Sequence, residues 1–423
     1  MRRSLVPALI ATAALLGGIA HAETPAPPYR EAWRAATDGA ASGATIADGV
    51  AYVTTSDAVL GFDVATGERV ASYPRGGALL RPGVGSVDGR ALLVFLDAGS
   101  ASGASPSPTS TSPVEVVAID VADGSEPWRT GFADGVAGGL TVVGDTAYLV
   151  DGSGTLSALS LRDGSTIWAV RGVGKSDAAP VVADGVVYAS GAPNGSSAIV
   201  AVDAASGERR WTVGPEYGVA ATSALAVQGD TLAYASSDRI AHALDVADGS
   251  ARWNRLLLNV PSPVTSPAIG EDLVIGIDYA GGVYRLDRST GADVWDHQLN
   301  ALTVRSGPVL AGDAVVLGTN DGRVVALDAS NGHLIADVRL GDGVVGTLAA
   351  DGDLLLAPVG GPGAALVALA RDPGGALLDV VSPTVADPVA IVSRFAVAAL
   401  VLLGAAAVGG RLAPRRRPRG EAA

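Results

Sequence analysis

The chain has 423 residues and no cysteine, which excludes disulfides, thiolate metal sites and a lipid-accepting thiol. Its formal charge of −14 hides an asymmetry: residues 23–393 hold 42 of the 43 acidic residues but 21 of the 29 basic ones, a charge of −21. A body that acidic is expected to repel nucleic acid and anionic lipid, and it fits an exported, soluble surface.

Met1–Ala22 reads as an export signal, an N-terminal signal helix. Arg2 and Arg3 precede an apolar core from Leu5 to Ile19, and Ala20-His21-Ala22 supplies a small-x-small cleavage site before Glu23. A Pro-rich lead, Thr24–Pro28, comes before Trp33.

From there one phrase repeats. Ile199–Trp211 reads IVAVDAASGERRW: an apolar run ending in Asp203, a tight turn at Ser206-Gly207, and a charged stem ending in Trp211. It recurs at Val117–Trp128, His242–Trp253 and Val283–Trp295. Degraded copies lie at Leu60–Val70, Leu156–Trp168, Val325–Ala336 and Val367–Leu378. The turn glycines at 67, 124, 164, 207, 249, 291, 332 and 374 are spaced by 57, 40, 43, 42, 42, 41 and 42 residues. A period near forty with several short Val-, Tyr- and Ile-rich runs per period marks a propeller blade. Asp184-Gly185, Asp321-Gly322 and Asp351-Gly352 are read as hairpin turns between strands. No helical stripe is sustained outside the chain ends. The fold expected over residues 23–381 is therefore all-β: an eight-bladed β-propeller of four-stranded antiparallel blades.

Trp128, Trp168, Trp211, Trp253 and Trp295 each stand four residues after a turn glycine. An indole there can lie flat on the neighbouring blade's hairpin, removing apolar area worth roughly 2–3 kcal/mol each. They are expected to dock blades rather than stack on a ligand. The second and eighth blades offer Ala71 and Leu378 at that place, and another offers Ala336, so softer junctions are expected there. Trp33 has no preceding copy. It is expected to pair with the last blade and close the ring, a slot that Leu377–Val381 could also fill.

Within the 57-residue interval, Ala98–Pro113 (AGSASGASPSPTSTSP) has almost nothing to bury and reads as a disordered surface insertion that could accept O-linked sugars. Several inner strands open on Ser/Thr-x-Pro or a related phrase: Arg81-Pro82, Ser176–Pro180, Thr265–Pro267 and Ser306–Pro308. If these line a central channel, Arg81, Lys175 and Arg305 set positive charge at one mouth, a candidate anion or carboxylate site.

Residues 382–388 read as a linker and 389–410 as one C-terminal transmembrane helix. Phe395–Gly410 is sixteen residues without a charge, about 24 Å of helix, and counting from Val389 gives about 33 Å against a ~30 Å hydrocarbon core. The basic tail 411–423 carries Arg411, Arg415, Arg416, Arg417 and Arg419, which favours a cytoplasmic end and places the propeller outside.

The phrase apolar-Asp-Ala-x-Thr/Ser-Gly-x-x-x-Trp resembles the PQQ-like β-propeller repeat, over about Trp33 to Leu378. That family holds both quinoprotein dehydrogenases and BamB-like interaction platforms, so the resemblance implies the fold and leaves the activity open. A quinoprotein would use quinone, calcium, a catalytic Asp and commonly a vicinal Cys pair, and the last cannot exist here. BamB is held to its membrane through a lipidated Cys, also absent. The four histidines show no metal-ligand spacing, and Gly174-Lys175-Ser176 lacks the first glycine of a phosphate loop, with Ala169 in its place. No catalytic, cofactor-binding or metal residue is assigned and no cofactor is expected. The function expected is a non-catalytic, membrane-anchored scaffold whose partner is an envelope protein or cell-wall component. The alternative is a PQQ- and calcium-dependent alcohol or sugar dehydrogenase. Oligomeric state is not legible.

Overall fold

The computed structural model describes residues 29–371, apart from 75–79, 98–112, 193–197, 215–223, 237–238, 258–266, 279 and 300–306. The signal, linker, membrane-helix and tail assignments, the Ser/Pro insertion, Arg305 and Leu377–Val381 all lie outside those residues. All the described residues fall in the first of the two units into which the chain divides.

Eight sheets of four antiparallel strands form the first unit. The innermost strands are Thr45–Ala47, Gly83–Val87, Val136–Val143, Val181–Ala183, Ala226–Gln228, Ala268–Ile269, Val309–Ala311 and Ala349–Asp351. Each touches the innermost strands of the blades before and after it, and Ala349–Asp351 touches Thr45–Ala47, so the ring is closed. Closure is completed by Tyr29–Ala36. This first strand is the outermost strand of the eighth blade and pairs with Ala365–Arg371, Tyr29 opposite Arg371. Trp33 does close the ring, and the slot is filled from the N-terminal side.

The apolar core is divided into eight clusters, and each lies between two neighbouring blades. In Val186–Gly191 the alternation is visible. Val187 and Ala189 pack toward the third blade, while Val186 and Tyr188 pack toward the fifth. A strand covered on both faces needs apolar residues at every position, which is why these segments read as continuous Val/Ile/Ala runs.

Six of the eight seams are then fastened at the outer edge by a tryptophan. The indole Nε1 of Trp211 donates to the carbonyl of Val246 at 2.9 Å, and Trp253 does the same to Arg288 at 2.8 Å. Trp33, Trp128, Trp168 and Trp295 repeat the bond to Val64, Leu161, Ala204 and Ala329. The acceptor always follows the residue that opens the next blade's outer turn. A β-bulge just before the Trp aims the ring: Ala201 faces Trp211, but Val202 faces Arg209, leaving Arg210 as the extra residue. The turn glycine sits under the indole. At Gly291, φ is +68° and an added Cβ would lie 2.6 Å from the Trp253 ring, so both backbone and space demand glycine.

Two expected soft junctions are corrected. Ala71 belongs to the first blade, and two residues later Tyr73 lies over Gly124 and donates its hydroxyl to the carbonyl of Val121 at 3.1 Å. In the eighth blade the docking place is taken by Trp33 of the closing strand. Ala336 is itself buried, in a cluster with Ile335, Leu340 and Tyr29. In the sixth blade Arg285 stands opposite Trp295, where the other tryptophans face alanine. It reaches across the seam to the carbonyl of Ala329 at 2.6 Å.

The hairpin turns also refine the sequence reading. Asp184-Gly185 has both φ positive, as do Asp48-Gly49 and Asp88-Gly89, the pattern of a type I′ turn. Gly144-Asp145, Gly229-Asp230, Gly312-Asp313 and Gly352-Asp353 have only the glycine positive, as type II′ requires. Asp321-Gly322 instead connects a second strand to a third, and Asp351 ends an inner strand ahead of its turn.

The outer turns are capped by carboxylates. Asp287 accepts from the Ser289 and Thr290 hydroxyls at 2.7 Å each and from the Thr290 amide at 2.8 Å, which pulls its pKa down to about 2. The Arg210 guanidinium, with the amide and hydroxyl of Ser206, lowers Asp203 further.

Two outcomes follow. Trp211→Ala is expected to cost about 3–5 kcal/mol in denaturant unfolding. Trp211→Phe, which keeps a ring but loses the bond to Val246, is expected to cost clearly less. Because the turn carboxylates have lowered folded pKa values, their stabilisation is complete above the unfolded value of about 4 and is lost as pH falls toward about 2. Asp287→Asn is expected to flatten that acid limb in a pH series of melting temperatures.

Candidate binding face

Strand direction alternates within each blade, so the connections sort onto two faces. One face carries the turns between first and second strands and between third and outermost strands. The other carries the second-to-third turns and the crossovers to the next blade.

On the first of these, the turn face, several ion pairs bridge neighbouring elements. Arg162 of the third blade pairs with Asp88 of the second at 2.7 Å, and Arg371 of the eighth pairs with Asp313 of the seventh. Arg252 bridges Asp230 and Asp245 at 2.8 and 2.6 Å. The turns there are short and repeat one pattern, and their exposed carboxylates Asp184 and Glu208 make no ion pair with a described residue.

The crossover face differs. Arg81 and Pro82 directly precede the second blade's innermost strand, so Arg81 stands at the inner end of the first crossover. Its Nε donates to Thr45 Oγ1, on the first blade's innermost strand, at 3.0 Å. Thr45 Oγ1 in turn donates to the carbonyl of Pro82. Thr141 repeats that bond two blades on, to the carbonyl of Pro180 at 2.6 Å. The Pro-containing phrases thus act as staples between inner strands. The side chain of Arg81 is exposed, and partial desolvation by its surroundings lowers its pKa.

Lys175 lies on the crossover from the third blade to the fourth. Its carbonyl accepts from the amide of Ala192 at 3.0 Å, and its side chain is exposed. A Cβ added to Gly139, on the third blade's innermost strand, would meet Ala179 at 3.7 Å and Leu80 at 3.8 Å. The segments carrying Arg81 and Lys175 therefore converge over one inner strand. Arg305, the third member of the expected set, lies outside the described residues. Thr45, which holds Arg81, was not singled out by the sequence reading, because the contact joins residues 36 apart on different blades.

Two polar clusters on this face look chemical and are turn braces. Buried Asp278 accepts from the amides of Ala280 and Gly282 at 2.7 and 2.9 Å and from the Tyr284 hydroxyl at 3.0 Å. Burial and then the Asp278 charge push the Tyr284 pKa well above its ordinary value. Ser236 Oγ lies 2.7 Å from His242 Nε2, and His242 Nδ1 lies 2.8 Å from Asn254 Oδ1, with Tyr234 stacked on the imidazole at 4.5 Å. That order resembles nucleophile, base and orienter. Ser236, however, holds the place at which Asp151, Asp278 and Thr319 cap the same turn, and it is buried. Among the described residues no group of three or more His, Cys, Asp or Glu could hold a metal ion.

The profile of the family described as outer membrane protein assembly factor BamB matches residues 114–261, 195–359 and 279–382. The outer membrane protein assembly factor BamB of Shewanella oneidensis is 24% identical over 243 residues, covering 51% of this chain. The match spans 59% of that relative's own length. Among solved structures, BamB from Moraxella catarrhalis superposes with a TM-score of 0.61 at 20% identity, over 81% of this chain and 99% of that one. Quinohemoprotein alcohol dehydrogenase from Comamonas testosteroni gives 0.61 at 15% identity, over 81% of this chain and 76% of the other. At such identities the structural likeness is one of fold.

A desolvated cation left without a carboxylate costs stability. Arg81→Gln is therefore expected to leave the thermal unfolding midpoint unchanged or raise it. Arg162→Gln, which breaks a pair between blades, is expected to lower it in the same assay.

Proposed function

The chain belongs to the PQQ-like repeat family of outer membrane protein assembly factor BamB, and we propose on that premise that it is a non-catalytic binding or scaffold module of the bacterial cell envelope. It is displayed outside the cytoplasmic membrane and tethered by residues 389–410, with the basic end 411–423 inside. Its partner is an envelope protein or a cell-wall component.

The observation that carries this reading is the inequality of the two faces. The turn face is made of short turns that repeat one glycine-and-carboxylate pattern and is acidic where they are exposed. The crossover face carries Arg81, held by Nε alone, and Val344, an aliphatic side chain half exposed on the last crossover. A ring fastened at its seams can lend such a face to a partner without reorganising, which keeps the ordering cost of binding low. Support for the envelope comes from the relatives, described as outer membrane protein assembly factors. The tether rests on composition: no helix among the described residues is long and apolar enough to cross a membrane, and 389–410 lies beyond them.

The absence of cysteine makes the test clean. A single cysteine at Ala205→Cys, on an exposed outer turn, is expected to react with a membrane-impermeant maleimide in intact spheroplasts. Ala422→Cys is expected to react only after permeabilisation. A photo-crosslinker at Val344 is expected to capture an envelope component that one at Ala205 does not. Labelling of both cysteines from outside would remove the tether, and equal capture from both faces would remove the assignment of the binding face.

A further inference from the structure

Several arginines of the ring have carboxylate partners. Arg69 meets Asp38 at 2.8 Å, Arg129 meets Glu126 at 2.9 Å, Arg339 meets Asp342 at 2.6 Å, and Arg323 pairs with Asp337. Arg81 is different. Its one hydrogen bond runs from Nε to Thr45, and no carboxylate of a described residue lies within ion-pair distance. That bond fixes the plane of the guanidinium while leaving both terminal nitrogens for another acceptor. Thr45 is fixed in turn by its own bond to the carbonyl of Pro82, so the group is held from both sides of the seam.

The geometry points to Arg81 as the anchor of a carboxylate-binding site at the crossover-face mouth of the channel, taking one carboxylate of an acidic peptide. Two terminal N–H groups side by side match the two oxygens of a carboxylate, the arrangement at which a guanidinium binds best. Desolvation at the mouth strengthens such a pair relative to one in open water. The acidic body sets the valence of the ligand. With a charge of −21 over residues 23–393, it repels a polyanion such as nucleic acid, whereas a single carboxylate on a thin segment can meet one cation. Lys175, on the crossover that converges with that of Arg81 over Gly139, adds a second positive charge on the approach. The inference rests on the reading of the ring as a binding platform and names the chemistry of what it binds.

The test uses the full-length chain in detergent and three peptides, the first two blocked at both ends and the third at its N-terminus only. One has a central glutamate, the second has glutamine in its place, and the third has glycine throughout with a free C-terminal carboxylate. Calorimetry is expected to show binding of the glutamate peptide, weakened by added salt, and none of the glutamine peptide. Binding of the third peptide identifies a chain terminus, rather than a side chain, as the other natural source of the carboxylate. Arg81→Gln is expected to weaken binding at least tenfold, and Arg81→Lys less. Thr45→Val is expected to weaken it while Arg81 remains, since it frees the guanidinium. Unfolding midpoints of the variants report whether the ring is intact, and Arg30→Gln, an exposed change on the closing strand, is the control. Equal affinity of Arg81→Gln and the unaltered chain, or no binding of either acidic peptide at millimolar concentration, would overturn the inference. Capture of an envelope component that persists in Arg81→Gln counts against this site and leaves the platform standing. Peptide binding without any capture does the reverse.

Discussion

The structure depends on what happens between blades. A single four-stranded sheet of this size cannot bury both of its faces. Each blade therefore contributes half of two apolar clusters, and none is complete until its neighbour is in place. The indole-to-carbonyl bond adds direction to that burial. At six of the eight seams it sets the outer strand of one blade at a fixed height on the next, and Tyr73 does so at a seventh. A hydrogen bond of this kind contributes about 1 kcal/mol net, so its part is alignment more than adhesion.

The same constraint divides the faces. Turns at the outer corner of six blades present a glycine beneath an indole and a carbonyl to its N–H, so their sequence is held near one pattern. Crossovers carry no such duty. That freedom is where chain length varies, where the Pro phrases staple inner strands, and where a guanidinium is held without a counter-charge. Binding residues on propellers are expected at places that the seams leave unconstrained.

What the amino-acid sequence made legible follows the same line. The choice between Trp33 and Leu377–Val381 for closing the ring needed the strand pairing, whereas the repeat, blade count and all-β class were readable because each rests on spacing within one phrase. Tyr73 was not, since it does the work of a Trp from two residues further along the strand and only the neighbouring blade shows the equivalence. Arg285 was hidden for a similar reason: it stands in a small-residue position and makes its bonds across a seam. Arg81 was visible as a charge near a proline, but the contact that gives it meaning comes from Thr45, a hydroxyl with nothing unusual in its local sequence. Local periodicity reports what a strand is, and says little of which side chains from distant blades come to share one opening.

The closing strand has a mechanical consequence. Ala365–Arg371 is an interior strand, hydrogen-bonded to Leu354–Val359 on one side and to Tyr29–Ala36 on the other. A load applied along its axis at Arg371 falls on both ladders in shear, so many bonds must yield together. A load on Tyr29, at the start of an edge strand, can peel its single ladder one bond at a time. Of the two ends of this ring, the one that continues past Arg371 is the better place to hang it from.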